Sequence, residues 1–220
     1  MTSVKIKNND FKDSRGDVFM STLLVIKAQP AMNQITNSLA ICDQFVTAYQ
    51  EAHPADTILQ HDLYAEGDIE IDSSNLQTWA KLSEGTLYTE LSANEQILVS
   101  RQQLLQEEFI KADKYVFANP MYNLFLPARL KSYLDIVCVA TKTSKATTKG
   151  PVGLLKDKMA VHIQSAGGTY QHSDNPNMQA LDMGAHYLRT ILSQMGVTDV
   201  KGVYNEGNSK LDEDAMLQNR

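Results

Sequence analysis

The sequence predicts an α/β protein built on a doubly wound, five-stranded parallel sheet in three layers, α/β/α. Three observations predict it. Short apolar runs rich in branched residues alternate with helix-period segments along the chain. Those runs are nearly unbroken by polar residues, as strands covered on both faces require. No repeat or domain-splitting linker interrupts the 220 residues, a length suited to one domain with a sizeable core.

The first strand is expected at residues 22–26, Thr-Leu-Leu-Val-Ile. After a polar loop, Thr36 or Asn37 offers an N-cap for a helix running to about residue 52, with Leu39, Ile41, Phe45 and Tyr49 among its apolar positions. His53-Pro54 stops it, and residues 57–63 form a second strand. Residues 64–93 are weakly periodic and hold the single tryptophan, Trp79. A stretch of that length reads as a functional insertion or a set of short helices. Residues 94–111 make a strong helix through Ile97, Leu98, Leu104, Leu105 and Phe109.

The third strand covers residues 115–118. Pro120 ends it, because it lacks an N–H and biases Asn119 away from helix. Pro127 opens the next helix in the first turn, where a missing N–H does no harm. Leu126, Leu130, Leu134 and Val137 then recur at helical spacing to near residue 139. Residues 140–150 read as a polar loop rich in lysine and threonine, and 159–163 as the fourth strand. A helix over 178–195 closes at Gly196, a fifth strand covers 200–204, and a short helical piece ends the chain at 212–220.

Residues 1–19 are polar and mixed in charge, with no apolar segment of the secretory kind. They are expected to be a disordered extension before a domain spanning 20–220. The net charge of −6 argues against non-specific nucleic-acid binding, and no apolar run approaches membrane length. Cys42 and Cys138 show no CxxC or metal spacing and read as reduced, buried thiols of a cytoplasmic protein. Among the histidines, His53, His61, His162 and His186 read as structural, and no metal cluster or G-x-S-x-G elbow is present.

Three strand-to-helix loops have unusual composition, and all fall at one edge of the expected sheet. Around Gln29, Thr36, Asn37 and Ser38, hydroxyls and free helix N–H groups suit a phosphate. Met121, Tyr122, Leu124 and Phe125, around Asn123, put apolar surface on a loop that would normally be polar. In Ser165-Ala166-Gly167-Gly168 the two glycines allow positive φ and a close approach of backbone to ligand. Taken singly, helix capping and a simple turn explain the first and third, while local packing and a flat ligand or partner subunit explain the second equally well. Together they describe a cradle for a flat heterocycle with a phosphorylated tail.

The chain at this point resembles the FMN-dependent NADH-azoreductases, flavodoxin-like NAD(P)H:quinone and azo reductases. The resemblance rests on Pro120-Met121-Tyr122-Asn123, Pro127-Ala128 with Leu130-Lys131, Tyr133 with Asp135, Gly150-Pro151-Val152-Gly153-Leu154, and Ser165 with Gly167-Gly168 and Tyr170. It covers roughly residues 20–207. It implies a flavodoxin-like fold, bound FMN, NADH or NADPH as donor, quinone or azo acceptors, ping-pong exchange and a homodimer with the site at the subunit interface. By that resemblance Gln29, Thr36, Asn37 and Ser38 hold the phosphate and ribityl end. Met121 to Leu124 contact the isoalloxazine largely through backbone, and Ser165 to Gly168 line its pyrimidine side. No catalytic side chain is assigned; Tyr122, Tyr170 and His172 are the candidates nearest the substrate face. Ala28-Gln29 and Ala166 depart from the family, which often has serines at the first position and arginine at the second. The last helix also reads as shorter than in members. A flavodoxin-type electron carrier and a non-catalytic regulatory protein of the same fold are the competing readings.

Overall fold

The computed structural model describes residues 20–30, 37–67 and 70–207. The expected extension at 1–19, the short helix at 212–220 and Thr36 lie outside them. Five strands form one parallel sheet: β1 (Thr22–Lys27), β2 (Thr57–Asp62), β3 (Lys114–Pro120), β6 (Met159–Ser165) and β7 (Asp199–Asn205), in the order β2-β1-β3-β6-β7. The expected architecture is the observed one. A separate antiparallel pair, β4 (Ser144–Thr147) and β5 (Gly150–Gly153), stands apart from the sheet.

Strand alternation splits the core in two. Leu24, Ile26, Tyr115, Phe117 and Ala160 face one side, under α3 (Ala93–Lys111), α4 (Ala128–Val137) and α6 (Met183–Met195). Leu23, Val25, Val116, Ala118, Val161 and Ile163 face the other, against α1 (Asn37–Ala52) through Cys42, Val46 and Tyr49. Burial first pushes the Cys42 thiol up to about 12, so the thiol stays protonated. Cys138 is only partly buried and follows α4 as its C-cap residue, not inside the helix as expected.

At four places the local structure refines or departs from the sequence expectation, each for a physical cause. Residues 64–93 carry short helices, one of the two readings of that stretch, chief among them α2 (Ser73–Ser83), opened by a capping box in which Asp72 and Asn75 exchange side-chain-to-backbone bonds at 3.0 and 2.8 Å. The usual glutamate or glutamine is absent from that box. The polar loop at 140–150 is the β4–β5 hairpin, which turns at Gly150 with φ 106°. The single helix expected at 178–195 is two, α5 (Pro176–Leu181) and α6, divided at Asp182, whose buried carboxylate accepts the Ala185 N–H at 3.0 Å. Gly168 keeps φ outside the left-handed region; its constraint is space, since a Cβ would stand 3.1 Å from the Tyr170 ring.

At the amino edge of the sheet, Tyr49 donates to Asp56, Lys114 Nζ donates to the Tyr49 hydroxyl at 2.8 Å, and the Ser21 N–H reaches Asp56 Oδ1 at 3.0 Å. This cluster ties β1, β2 and β3 together where they begin.

Candidate functional site

Parallel strands bring the three singled-out loops to one edge, and main-chain bonds fix them side by side. The Ala28 N–H donates to the Ala118 carbonyl at 2.8 Å, the Met121 N–H to Ser165 at 2.8 Å, and the Ala166 N–H to Asn205 at 2.9 Å. The register continues across the edge, with Pro120 opposite Ser165 and Ser165 opposite Asn205.

In the first loop Gln29 is buried and accepts the Ser38 hydroxyl at 2.9 Å. That bond joins the end of β1 to the first turn of α1. Asn37, the first residue of α1, is exposed, and no acidic residue occupies that first turn. The helix N-terminus thus keeps its attraction for an anion.

The second loop is a closed two-residue turn. Tyr122 and Phe125 exchange both main-chain bonds, at 2.9 and 3.0 Å, around Asn123 with φ 49° and Leu124 with φ 67°. Positive φ at both central positions is the type I′ arrangement. For a leucine it costs roughly 1–2 kcal/mol, and such strain persists only where neighbours over-determine it. One neighbour is α6: the Leu124 carbonyl accepts the Gly184 N–H at 3.1 Å. A Cβ on Gly184 would lie 2.9 Å from the backbone of Phe125 and Leu126, so only glycine lets helix and turn approach this closely. Met121 is half-buried, while Tyr122 and Asn123 are exposed.

In the third loop Ala166 is buried, Gly167 is exposed, and the Gly168 carbonyl accepts the Gly207 N–H at 3.1 Å. Farther along, the Gln171 and His172 N–H groups both donate to the Glu206 carboxylate. His172 itself is exposed, with Nδ1 3.3 Å from Glu206. Gln29, Asn37, Ser38, Met121 to Leu124 and Ser165 to Gly168 thus share one edge of the sheet.

Several supporting residues escaped the sequence reading. Asp182 accepts from Gln164 Nε2 at 2.9 Å and Gln171 Nε2 at 3.0 Å, which links β6, the third loop and α6. Arg189 donates to the Tyr204 hydroxyl at 2.5 Å, and the Tyr204 ring lies over Gly202, where a Cβ would meet it at 2.1 Å. Tyr64 follows β2 under the Arg129 guanidinium, 5.0 Å from the ring centre. Burial, then the neighbouring Tyr122, raise its phenol. Position just beyond a strand's carboxyl end was the available signal for Tyr64 and Glu206. Two shallow cavities of about 470 and 270 Å³ border α2 and α3, and neither is lined by a residue of the three loops.

Comparison with known proteins agrees with this geometry. A family model described as flavodoxin-like fold matches residues 21–220. An FMN-dependent NADH:quinone oxidoreductase of Staphylococcus carnosus is 43% identical over 89% of this chain and 91% of its own length. The FMN-dependent NADH:quinone oxidoreductase 2 of Lactiplantibacillus plantarum is 44% identical over 86% of this chain and 88% of its own. The crystal structure of an FMN-dependent NADH-azoreductase from Bacillus anthracis in complex with FMN superposes with a TM-score of 0.79 at 30% identity, over 91% of this chain and 93% of that one. The 2-1-3-6-7 strand order and these likenesses place the chain in the flavodoxin-like family of FMN-dependent NADH:quinone oxidoreductases and NADH-azoreductases.

Proposed function

We propose that this chain is an FMN-dependent oxidoreductase that passes hydride from NADH to quinones and aromatic azo compounds by ping-pong exchange, as a cytoplasmic homodimer. The observation that carries the reading is the strained Tyr122–Phe125 turn, flanked on one edge by the α1 N-terminus and the Ser165–Gly168 loop. The residues fit FMN. A phosphate suits an N-terminus with no acidic first-turn residue, and a flat ring suits exposed turn backbone beside a glycine pair.

Bound FMN supplies a ring that accepts and returns a hydride. The chain's own groups bind and orient. Gln29, Thr36, Asn37 and Ser38 would hold the phosphate and ribityl end. Met121, Tyr122, Asn123 and Leu124 would contact the ring, largely through backbone, and Ser165, Ala166, Gly167 and Gly168 would line the rest of its site. Donor and acceptor use the same open face in turn, which accounts for the absence of a G-x-G-x-x-G site of the Rossmann kind. His172, tethered by Glu206, is a loop residue of this region, and no catalytic side chain is assigned. Tyr122 and Tyr170 flank that face.

Leu76 and Trp79 on α2 and Ile97 and Leu104 on α3 remain exposed, and a second copy of the chain is the proposed cover. Among the described residues no helix is long and apolar enough to cross a membrane.

An absorption spectrum of the purified protein tests the cofactor, and NADH oxidation with a quinone tests the activity. A colourless protein that takes up no added FMN overturns the reading. A flavoprotein that NADH fails to reduce makes the chain an electron carrier instead.

A further inference from the structure

A buried relay lies beneath the Tyr122–Phe125 turn. The Pro120 carbonyl can only accept, so the Asn119 side chain must turn its NH2 toward it, at 2.9 Å. Asn119 Oδ1 then faces His162 Nε2, at 3.0 Å. An amide oxygen also only accepts, so the ring proton sits on Nε2 and Nδ1 is bare. Both residues are buried, and among the described residues His162 Nδ1 has no hydrogen-bond partner. A charged ring is disfavoured here: burial first, then Arg189, push the imidazole down to about 3. The Tyr204 ring stands edge-on to His162 at 5.8 Å, which fixes the imidazole plane.

We propose that His162 is a positioning residue for the ligand-bearing turn. Its Nε2–H orients the Asn119 amide, the amide holds the Pro120 carbonyl, and so the relay sets the direction in which the chain leaves β3 into Met121 to Leu124. A turn with two non-glycine residues at positive φ needs restraint from both sides. Gly184 on α6 supplies one restraint, and the relay supplies the other from within the sheet. The identity of the ligand rests on the flavin reading above; the tautomer does not.

Two measurements test the relay. Long-range proton–nitrogen NMR of the histidine-labelled chain should show His162 neutral, with the proton on Nε2, from pH 8 to pH 5. A proton on Nδ1, or a ring that titrates in that range, overturns the relay. FMN fluorescence titration is the second measurement. His162→Phe keeps a ring beside Tyr204 and removes the donor, and should raise the FMN dissociation constant about tenfold, the worth of one buried hydrogen bond. His162→Gln restores an N–H and should recover most of that loss. Asn119→Leu removes both the donor to Pro120 and the acceptor for His162 at similar volume and should weaken binding similarly, with little further loss when combined with His162→Phe. His162→Phe binding as tightly as the unchanged chain, or His162→Gln binding no better than His162→Phe, overturns the proposal. Thermal unfolding of each apoprotein reports folding; if His162→Phe does not fold, His162→Gln at full affinity and Asn119→Leu at reduced affinity support the relay, and any other pair of values overturns it. An unchanged chain that takes up no FMN defeats the flavin reading, while the NMR measurement still decides the relay.

Discussion

The main-chain N–H of Gln171 donates to the Glu206 carboxylate at 2.8 Å, so the loop leaving β6 is held by the residue that follows β7. The same carboxylate takes the His172 N–H at 3.0 Å, and its side chain is 2% exposed. Glu206→Ala leaves both amides without their acceptor and should cost about 1–3 kcal/mol of stability. Steady-state kinetics should show KM for the acceptor rising more than kcat falls, since the proposed function sets this loop beside the substrate face. Unchanged KM would separate the loop from acceptor binding.

Leu124 at φ 67° carries strain that glycine would relieve. Leu124→Gly gives the Asn-Gly pair favoured in type I′ turns. Strain relief, less the backbone entropy of glycine, leaves a gain of about 0.5–1 kcal/mol. Calorimetry should find the unfolding midpoint raised by a few degrees, with FMN affinity no tighter. A lowered midpoint would mean that the leucine side chain contributes more than its backbone costs.

Gly153→Ala should destabilise the chain. A Cβ there would stand 2.1 Å from the Gly196 backbone nitrogen, and the Leu155 N–H donates to the Met195 carbonyl beside it at 2.9 Å. Backbone must move on both sides, at a cost of about 1–3 kcal/mol or more. Thermal denaturation should show a midpoint lower by at least about 2–4 °C, the equivalent of 1 kcal/mol in a domain of this size.

Acid should weaken the amino-edge cluster. Burial alone would raise the Asp56 carboxyl, but bonds from Tyr49, Ser21 and Lys114 outweigh it and hold the carboxyl below its usual value. A depressed folded-state pKa gives stability that is present above the unfolded value, near 4, and lost as pH falls through the lower folded one. Asp56→Asn should therefore be less stable at neutral pH, and the difference should shrink below about pH 4. Urea titrations at pH 7 and pH 3 measure it; a difference independent of pH would remove Asp56 from the acid response.

The strands were legible because each one in the middle of the sheet is buried on both faces, so Leu23 to Ile26 and Tyr115 to Ala118 announce themselves without periodicity. The three loops were legible for a related reason: strands all running one way put every carboxyl end on one edge. What stayed hidden depends on long-range partners. Asp182 looks like any polar helix position until Gln164 and Gln171 arrive from elsewhere in the chain. His162 and Asn119 lie 43 positions apart, and only parallel pairing brings them together. Asn75 closes a cap with a residue that capping rules rank low, so the short helices expected over residues 64–93 could not be given bounds.

The strand order carries a consequence for synthesis. β1 is made early and can pair with β2 almost at once, yet its other neighbour begins 91 positions later, where Leu23 meets Lys114. The third loop must wait longer still, for β6. On the proposed assignment of the loops, a nascent chain on the ribosome has the phosphate-side loop long before the loops proposed to line the ring. Flavin capture would accordingly be a closing act of folding, and chains released before residue 168 should emerge colourless however much secondary structure they contain.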